Sequence, residues 1–325
     1  MMRFQNPVSN SFCTLTIFSI VVISAFSFIS CDDSIDPKTT YKERYILNFI
    51  IRGDTTLQIA TLTSSYNVEG VDPSINEIDP AIKDADIKIW YNGEVYTLRD
   101  TTIARSDTSR YNNPVHCYYI NNFPPAEGKS VIVKAELNNG KKLTAETKLP
   151  SNIGIDSCDR IIPLSYKNQF SIVWRKLEEE VYYFVRFRIY YKHNSEFHIV
   201  EVPLDYNTIN GKVTPVYPGV TRKTIFNYEL SALDSVMKNI SLGDGQKSSY
   251  QIMRGEYEVI IMDKPLSDYY SSIHGYMDDF SIRIDQTDYT NVTGGYGIFA
   301  SYRKQLLAAT LKEEYIRSFG YKAGN

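Results

Sequence analysis

Apolar and polar residues alternate along much of this chain, and short turn sequences separate the alternating runs. Two runs near the start, Arg44–Arg52 and Thr56–Thr63, are rich in β-branched and aromatic residues and have Gly53 and Asp54 between them. Period-two alternation bounded by turn residues predicts β-strands. The folded part of the chain is therefore predicted to begin with a strand pair.

The segment Asp86–Arg99 carries the clearest hairpin signal. Its apolar residues alternate with polar ones on both sides of Asn92-Gly93, a dipeptide that tolerates the positive φ of a type I′ turn. Asn139-Gly140 predicts a second hairpin. Further strand-like runs with turns between them are Val115–Ile120, Ser130–Leu137 and Lys141–Lys148. This spacing predicts an immunoglobulin-like β-sandwich over residues 44–150.

The remainder of the chain, residues 151–325, opens in the same style after a predicted linker at Thr147–Ile155. Gln169–Trp174 and Val181–Tyr191 are strong strands. A lone Trp174 beside a Tyr-rich strand resembles fibronectin-type sandwiches, in which the indole fills the core. We therefore predict an all-β protein, mainly, with a second β-rich domain after the first sandwich.

One or two short helices interrupt this second part. In Asn227–Ser241, apolar residues recur at helical spacing, and Pro265–Met277 is a second candidate. Residues 303–319 fit either a strand followed by one helical turn or a single amphipathic helix. Ser64–Lys83, in contrast, contains prolines and scattered acids and predicts a long loop, where binding groups tend to lie.

An uncharged apolar run, Thr14–Asp33, ends in Ser30, Cys31 and two acids. We interpret residues 1–30 as a bacterial lipoprotein signal peptide, cleaved so that a lipid on Cys31 holds the chain to a membrane. Ordinary secretory cleavage and an uncleaved anchor are the alternatives. The run is shorter than the roughly 20 apolar residues of a spanning helix and lacks a basic flank. Residues 31–43 then form a polar tether.

Charge and cysteine usage narrow the function classes. The net charge is -3, and cleavage of the signal with Arg3 leaves -4. No basic stripe is present, so nucleic acid is not an expected partner. Cys117 and Cys158 stay in the mature chain. They can form a disulfide in an extracytoplasmic compartment, or remain as two separate thiols.

No catalytic or metal-binding motif is present, so we predict a protein without catalysis, cofactor or metal. The four histidines are scattered, and His193 and His198 are expected on opposite faces of a strand. Acid pairs at Asp278-Asp279 and at Glu178 and Glu180 are predicted to be solvated turns. The loop acids that calcium could use are Asp79, Asp84 and Asp86; ordinary loop charges are the favoured interpretation.

Tyrosine is the unusual component of the composition, with 26 residues and several doublets. It suits half-buried strands, and it also gives rigid contact area for peptides or glycans. In a doublet on a strand, one ring faces the core and the other faces outward.

These features resemble a family of Bacteroidetes outer-membrane lipoproteins known as domain of unknown function 4249. The likeness runs from Tyr45 to about Leu311. It rests on the strand pair, the Asp84-Ala85-Asp86-Ile87 sequence before the Asn-Gly hairpin, and above all Asn291–Ser301, NVTGGYGIFAS. The family usually has Gly-Ala where this chain has Asp84-Ala85. We interpret Gly294, Gly295 and Gly297 in the last motif as structural.

The resemblance implies an accessory lipoprotein that works beside a TonB-dependent outer-membrane receptor in nutrient uptake. No catalytic residues are defined for that family, so the resemblance assigns none to this chain. Acids after the lipid site, Asp32 and Asp33, resemble a surface-export signal, so the expected location is the outer membrane, facing the exterior. A peptide or glycan ligand fits the tyrosines equally. The alternatives are a structural or adhesive surface lipoprotein and a surface hydrolase.

Overall fold

The computed structural model describes residues 41–68, 72, 75–124, 127–178, 180–209, 211–274 and 289–324. The chain divides into a small unit, Met1–Lys42 with Val68–Pro73, and a large unit, Glu43–Asn67 with Ser74–Asn325. The large unit contains all the strands and helices described below. The lipidation and export calls, Cys31, Asp32 and Asp33, lie outside the described residues.

Most strands of the first half alternate between buried and exposed positions, as the sequence pattern predicts, whereas the two short strands at residues 94–97 and 99–103 are mostly exposed. They are β1 (Tyr45–Arg52), β2 (Gln58–Ser64), β3 (Asp86–Tyr91), β4 (Glu94–Thr97), β5 (Arg99–Ile103), β6 (Val115–Ile120), β7 (Ser130–Glu136) and β8 (Lys142–Lys148).

The second half is also mainly strand. Its strands are β9 (Ile155–Cys158), β10 (Ile161–Ile162), β11 (Gln169–Trp174), β12 (Val181–His193), β13 (Glu196–Val202), β14 (Asp205–Ile209), β15 (Lys212–Val216), β16 (Ile225–Glu229), β17 (Tyr250–Asp263), β18 (Tyr296–Leu311) and β19 (Lys322–Ala323). The helices are α1 (Leu230–Asn239), α2 (Lys264–His274) and α3 (Glu313–Ser318). The all-β prediction is confirmed, and residues 303–319 follow its strand-then-helix alternative.

Two sheets form the N-terminal sandwich. One follows the order β4-β3-β7-β8, and the other is part of a large sheet with the order β13-β12-β17-β18-β1-β2-β6-β5. Inward residues of both sheets share one apolar core, to which Phe49 contributes from β1 and Ile89 from β3. Burial of alternate residues on facing sheets is the general basis of a β-sandwich.

The predicted Asn-Gly turns have different geometries. Asn92 and Gly93 have φ of 53° and 84°, as a type I′ turn requires. Around the second turn, Gly140 has a positive φ and its N–H donates to the Leu137 carbonyl, whereas Asn139 is not left-handed. The β7–β8 connection is therefore a longer loop that contains a type I turn before Gly140.

A second apolar core lies in the C-terminal half between β11, β12, β16, β17, α1 and α3. Trp174 is 1% exposed, stacks on Phe226 and meets Tyr183 edge-on. The indole therefore fills a core, as expected. Two smaller sheets, of order β16-β11-β9 and β14-β15, complete this half.

Strand β18 connects the halves. Its first residues pair in parallel with β1, and from Tyr302 onward it pairs with β17. Phe299 on β18 belongs to the first core, and Leu307 on the same strand belongs to the second. The predicted border at residue 150 separates most residues of the two cores, but the sheet continues across it through β18.

The predicted linker at Thr147–Ile155 is packed against the body of the protein. Leu149 and Ile153 are buried, and the Gln305 side chain exchanges hydrogen bonds of 3.3 Å with the Ile153 backbone. The segment therefore joins the two cores as an ordered connection and not as a free hinge.

Candidate functional site

The loops that follow β2 and β5 lie together at one end of the N-terminal sandwich. The first is the long loop predicted from the sequence, and the second covers residues 104–114. The Arg110 guanidinium lies 5.5 Å from the centre of the Tyr66 ring and 5.1 Å from that of Tyr111. The Arg105 guanidinium lies 5.2 Å from the Tyr111 ring. Cation–π contacts thus join the two loops.

Asp79 holds these loops in place. Its Oδ2 accepts hydrogen bonds from Arg105 Nη2 at 2.6 Å and from Asn113 Nδ2 at 3.0 Å, and its Oδ1 accepts from the Ala81 N–H at 3.1 Å. Arg105 Nε also donates to the Asn113 carbonyl at 3.0 Å. We call Asp79, Arg105 and Asn113 the loop clamp. A charge-assisted network of this kind fixes loop geometry before any ligand arrives.

Tyr118 on β6 anchors the end of the first loop to the core. Its hydroxyl donates to the Ile82 carbonyl at 2.8 Å and accepts from the Ala85 N–H at 3.1 Å. Burial raises the pKa of Tyr118 to about 12, so the phenol stays neutral. Between these anchor points Asp84 has a φ of 60°, a conformation that favours glycine.

A cavity of about 340 Å³ opens beside the loop clamp. We call it the Lys83 cavity; its walls are Asp79, Ala81, Lys83, Thr102, Asn113, Pro114 and His116. A neighbouring cavity of about 320 Å³ also includes Asp79, and its other walls are described residues on both sides of the first loop, among them Ser64, Asn76 and Ile82. Both volumes are in the range of small-molecule sites.

His116 is the most buried polar residue in the wall of the Lys83 cavity, at 9% exposure. Its Nε2 lies 3.0 Å from Asp100 Oδ1, which orients the ring. Its Nδ1 is buried and has no hydrogen-bond partner among the described residues. Thr102 lies directly opposite His116 in the β5–β6 ladder. Nδ1 of His116 therefore makes no hydrogen bond to the Thr102 hydroxyl across this ladder.

Glu178 and Glu180, two of the acids predicted as solvated turns, do not line this cavity. Glu178 and Glu180 are exposed between β11 and β12, and Asp278-Asp279 lies outside the described residues. Of the loop acids, Asp79 belongs to the loop clamp, and Asp86 forms an ion pair with Lys88. Among the described residues, no cluster of histidine, cysteine, aspartate or glutamate is arranged to hold a metal ion.

The expectation that His193 and His198 face opposite sides is wrong. A turn with positive φ at Asn194 and Ser195 reverses the chain, and His198 pairs with Tyr191 across the hairpin. The two imidazoles therefore lie on one face, with ring centres 6.5 Å apart. The expectation treated residues 193–198 as one continuous strand, in which faces alternate. A two-residue turn divides that segment between two strands, so the alternation does not apply across it. His193 stacks on Tyr250 at 4.0 Å.

Cys117 and Cys158 are free thiols, so the disulfide that the sequence allowed is not formed. Cys117 lies on β6 in the large sheet, whereas Cys158 lies on β9 in the sheet β16-β11-β9. Burial raises the pKa of both thiols.

Two tyrosine doublets follow the expected alternation: Tyr118 and Tyr183 are buried, and their neighbours Tyr119 and Tyr182 are half-buried. The expectation is wrong for the other two, because Tyr190 and Tyr191 are both half-buried beside an irregularity in β12, and Tyr269 and Tyr270 lie on helix α2.

The glycines of the NVTGGYGIFAS motif have a structural explanation. A Cβ at Gly297 would lie 2.1 Å from the Leu47 carbonyl oxygen, and one at Gly295 would lie 2.6 Å from that of Tyr45. Gly294 and Gly297 also have positive φ. Asn291 exchanges two hydrogen bonds with the Phe299 backbone. The motif thus brings β18 against β1, where no side chain fits.

The sequence predicted the first loop of the site but not its partner. Lys83, Thr102, Asn113 and His116 come from separate segments, and their meeting depends on the pairing of β5 with β6. The short, polar 104–114 segment has no motif that would have marked it. The sequence features that indicated a binding site were the length of the first loop and the acidic residues in it.

Comparison with known proteins adds little. No protein-family model matches the chain, and no curated protein matches it. Among solved structures, the fibronectin domains FN1–FN3 of chicken CNTN1 are similar with a TM-score of 0.16 and 9% identity, over 81% of this chain and 64% of that chain. This chain thus spans less than two thirds of that structure. A TM-score so low carries no argument, and the fold class follows from the strands described above.

Among the described residues, no helix has the length and apolar character that crossing a membrane needs.

Proposed function

We propose that this protein is a non-catalytic, lipid-anchored lipoprotein of the outer membrane that captures a ligand beside a TonB-dependent receptor. The observation that carries the binding role is the loop clamp, in which Asp79, Arg105 and Asn113 hold two loops beside the two cavities. Loops fixed on a rigid β scaffold are a common form of binding site. The signal sequence before Cys31 and the family resemblance support the location and the partner.

A lipid anchor has a physical advantage for such a partnership. It confines the lipoprotein and the receptor to one membrane plane, so that a weak contact is populated through effective concentration. The folded part then needs only a modest interface to act on the receptor, either by delivering a ligand or by gating its entrance.

The attachment is tested by metabolic labelling with a radioactive fatty acid. Wild-type protein and a Cys13→Ala control should carry the label, because Cys13 lies within the cleaved segment. Cys31→Ala should lose the label and either leave the membrane fraction or stay unprocessed. Unchanged membrane attachment of Cys31→Ala would favour an uncleaved anchor helix.

The partner is tested by isolating the native lipoprotein from solubilised outer membranes and identifying what accompanies it by mass spectrometry. We expect a TonB-dependent receptor, and we expect protease added to intact cells to digest the lipoprotein. Absence of any receptor together with protection from protease would refute the proposal. Surface exposure without a receptor would favour the adhesive alternative.

A further inference from the structure

The side chain of Lys83 places a positive charge at the wall of the Lys83 cavity. Lys83 is exposed at the cavity wall and has no ion pair among the described residues. The carboxylate in the same wall, Asp79, is already bound by Arg105 at 2.6 Å. The other nearby acid, Asp100, faces Nε2 of His116 at 3.0 Å. A negatively charged group that enters the cavity therefore meets an available ammonium group and acids that are already paired.

A neutral donor lines the same cavity. The exposed Thr102 supplies a hydroxyl, whereas the Asn113 amide already donates to Asp79 at 3.0 Å and to the Pro114 carbonyl at 3.4 Å. A carboxylate has two oxygens that accept several hydrogen bonds, so it can use an ammonium and a hydroxyl together.

His116, in contrast, presents a hydrogen-bond acceptor that needs a donor. Because Nε2 faces the Asp100 carboxylate, a neutral imidazole carries its proton there and presents a lone pair at Nδ1. That atom is buried and has no partner among the described residues. A buried acceptor without a donor is unfavourable, and a ligand N–H or O–H would relieve it once a small movement of the cavity wall uncovered the atom.

From these groups we infer that the Lys83 cavity binds a carboxylate that has an N–H or O–H donor beside it. The carboxylate pairs with Lys83 and Thr102, and the donor reaches the buried Nδ1 of His116 after a small movement of the cavity wall. This inference rests on the proposed function and specifies the chemistry of its ligand. The C-terminal residue of a peptide and a hexuronic acid both carry this pair of groups.

Ligand-observed NMR on the full chain in detergent tests the inference with four probes. They are N-acetyl-alanyl-alanine, its C-terminal amide, glucuronate and glucose. We expect at least one of the two carboxylates to bind more tightly than its neutral counterpart by about tenfold, the contribution of one charge-assisted contact. Preference for the peptide acid or for glucuronate identifies the source of the carboxylate. Equal binding of acids and neutral probes, or no binding of any probe, would overturn the inference.

Variants locate the contact. Lys83→Ala should weaken carboxylate binding about tenfold, Lys83→Arg should retain most of it, and Thr102→Val should weaken it less. Lys238→Ala, an exposed lysine on α1, should have no effect and serves as the matched control. If Lys83→Ala and Lys238→Ala bind equally well, the carboxylate does not bind in this cavity. The assay involves neither receptor nor membrane, so its failure leaves the proposed partnership to its own test.

Discussion

Asp263 shows how one buried residue joins several elements. Its carboxylate, 4% exposed, accepts hydrogen bonds from the Ser301 N–H at 2.9 Å and from the Leu266 N–H at 2.9 Å, and also from the Thr147 hydroxyl. It thus links β8, β17, β18 and the first turn of α2. Burial raises the pKa of Asp263 to about 6, although these hydrogen bonds oppose the shift.

A pH dependence of stability follows from this shift. Between the pKa of Asp263 in the unfolded chain, near 4, and its folded value of about 6, the folded state holds a proton that the unfolded state has released. The free energy of unfolding should therefore fall as the pH rises through this window, by up to about 3 kcal/mol from this group. Chemical denaturation at several pH values measures it.

Asp263→Asn should remove that slope, because the amide does not titrate. The control Asp156→Asn changes an exposed acid and should leave the slope as in the wild type. If the wild type and Asp263→Asn keep a constant difference in stability from pH 4 to pH 7, Asp263 has no raised pKa.

Substitution of Gly297 is expected to destabilise the fold. Gly297→Ala forces a Cβ onto the Leu47 carbonyl and places a side chain at a φ of 108°. Overpacking and backbone strain together should lower the free energy of unfolding by about 3 kcal/mol or more. Gly219→Ala is the control, because Gly219 has open space around its Cβ position. A thermal melt in which both variants resemble the wild type would contradict this structural role.

At the scale of elements, the site depends on a contact between two loops and not on either loop alone. Arg105→Ala removes the strongest contact of the loop clamp. We expect a loss of stability of only about 2 kcal/mol, because the pair is partly exposed. We expect a larger effect on the loops themselves: limited proteolysis should cut within residues 104–114 much faster than in the wild type.

The control for this experiment is Asp156→Ala, which removes another aspartate–arginine pair at an exposed position. Its cleavage pattern should match the wild type. Equal protease resistance of Arg105→Ala and the wild type would mean that the clamp does not order the loops, and the binding role would lose its main structural support.

At the scale of the whole molecule, β18 makes the two cores interdependent. The first core includes Val292 and Phe299, which lie far along the chain from its other members. A fragment of residues 44–150 should therefore remain unfolded by near-ultraviolet circular dichroism and NMR, because β1 loses its parallel partner and the core loses Phe299. A folded, cooperative fragment would show that the first sandwich is an independent domain.

The same connection predicts that the full-length protein unfolds in a single transition. Phe49→Ala lies in the first core and Phe170→Ala in the second. Each should lower the free energy of unfolding by roughly 3–5 kcal/mol and shift the midpoint of the same single transition. Two separate transitions in calorimetry would mean that the cores unfold independently in spite of β18.

The sequence by itself determined the local features of this protein. Alternation specified most strands of the first sandwich together with β11 and β12, but it did not mark β5, β13, β14 or β15. Asn92-Gly93 specified a type I′ turn, and the apolar spacing before Ser241 specified α1, because each depends on neighbours within a few residues. The glycines near position 295 marked a close approach but not its partner. Only the tertiary structure decided that β18 pairs with β1 and β17, that His193 meets His198, and that Lys83, Thr102 and His116 line one cavity. Those contacts depend on strand order and turn geometry, and a pattern of side chains along one chain does not encode which distant strands become neighbours.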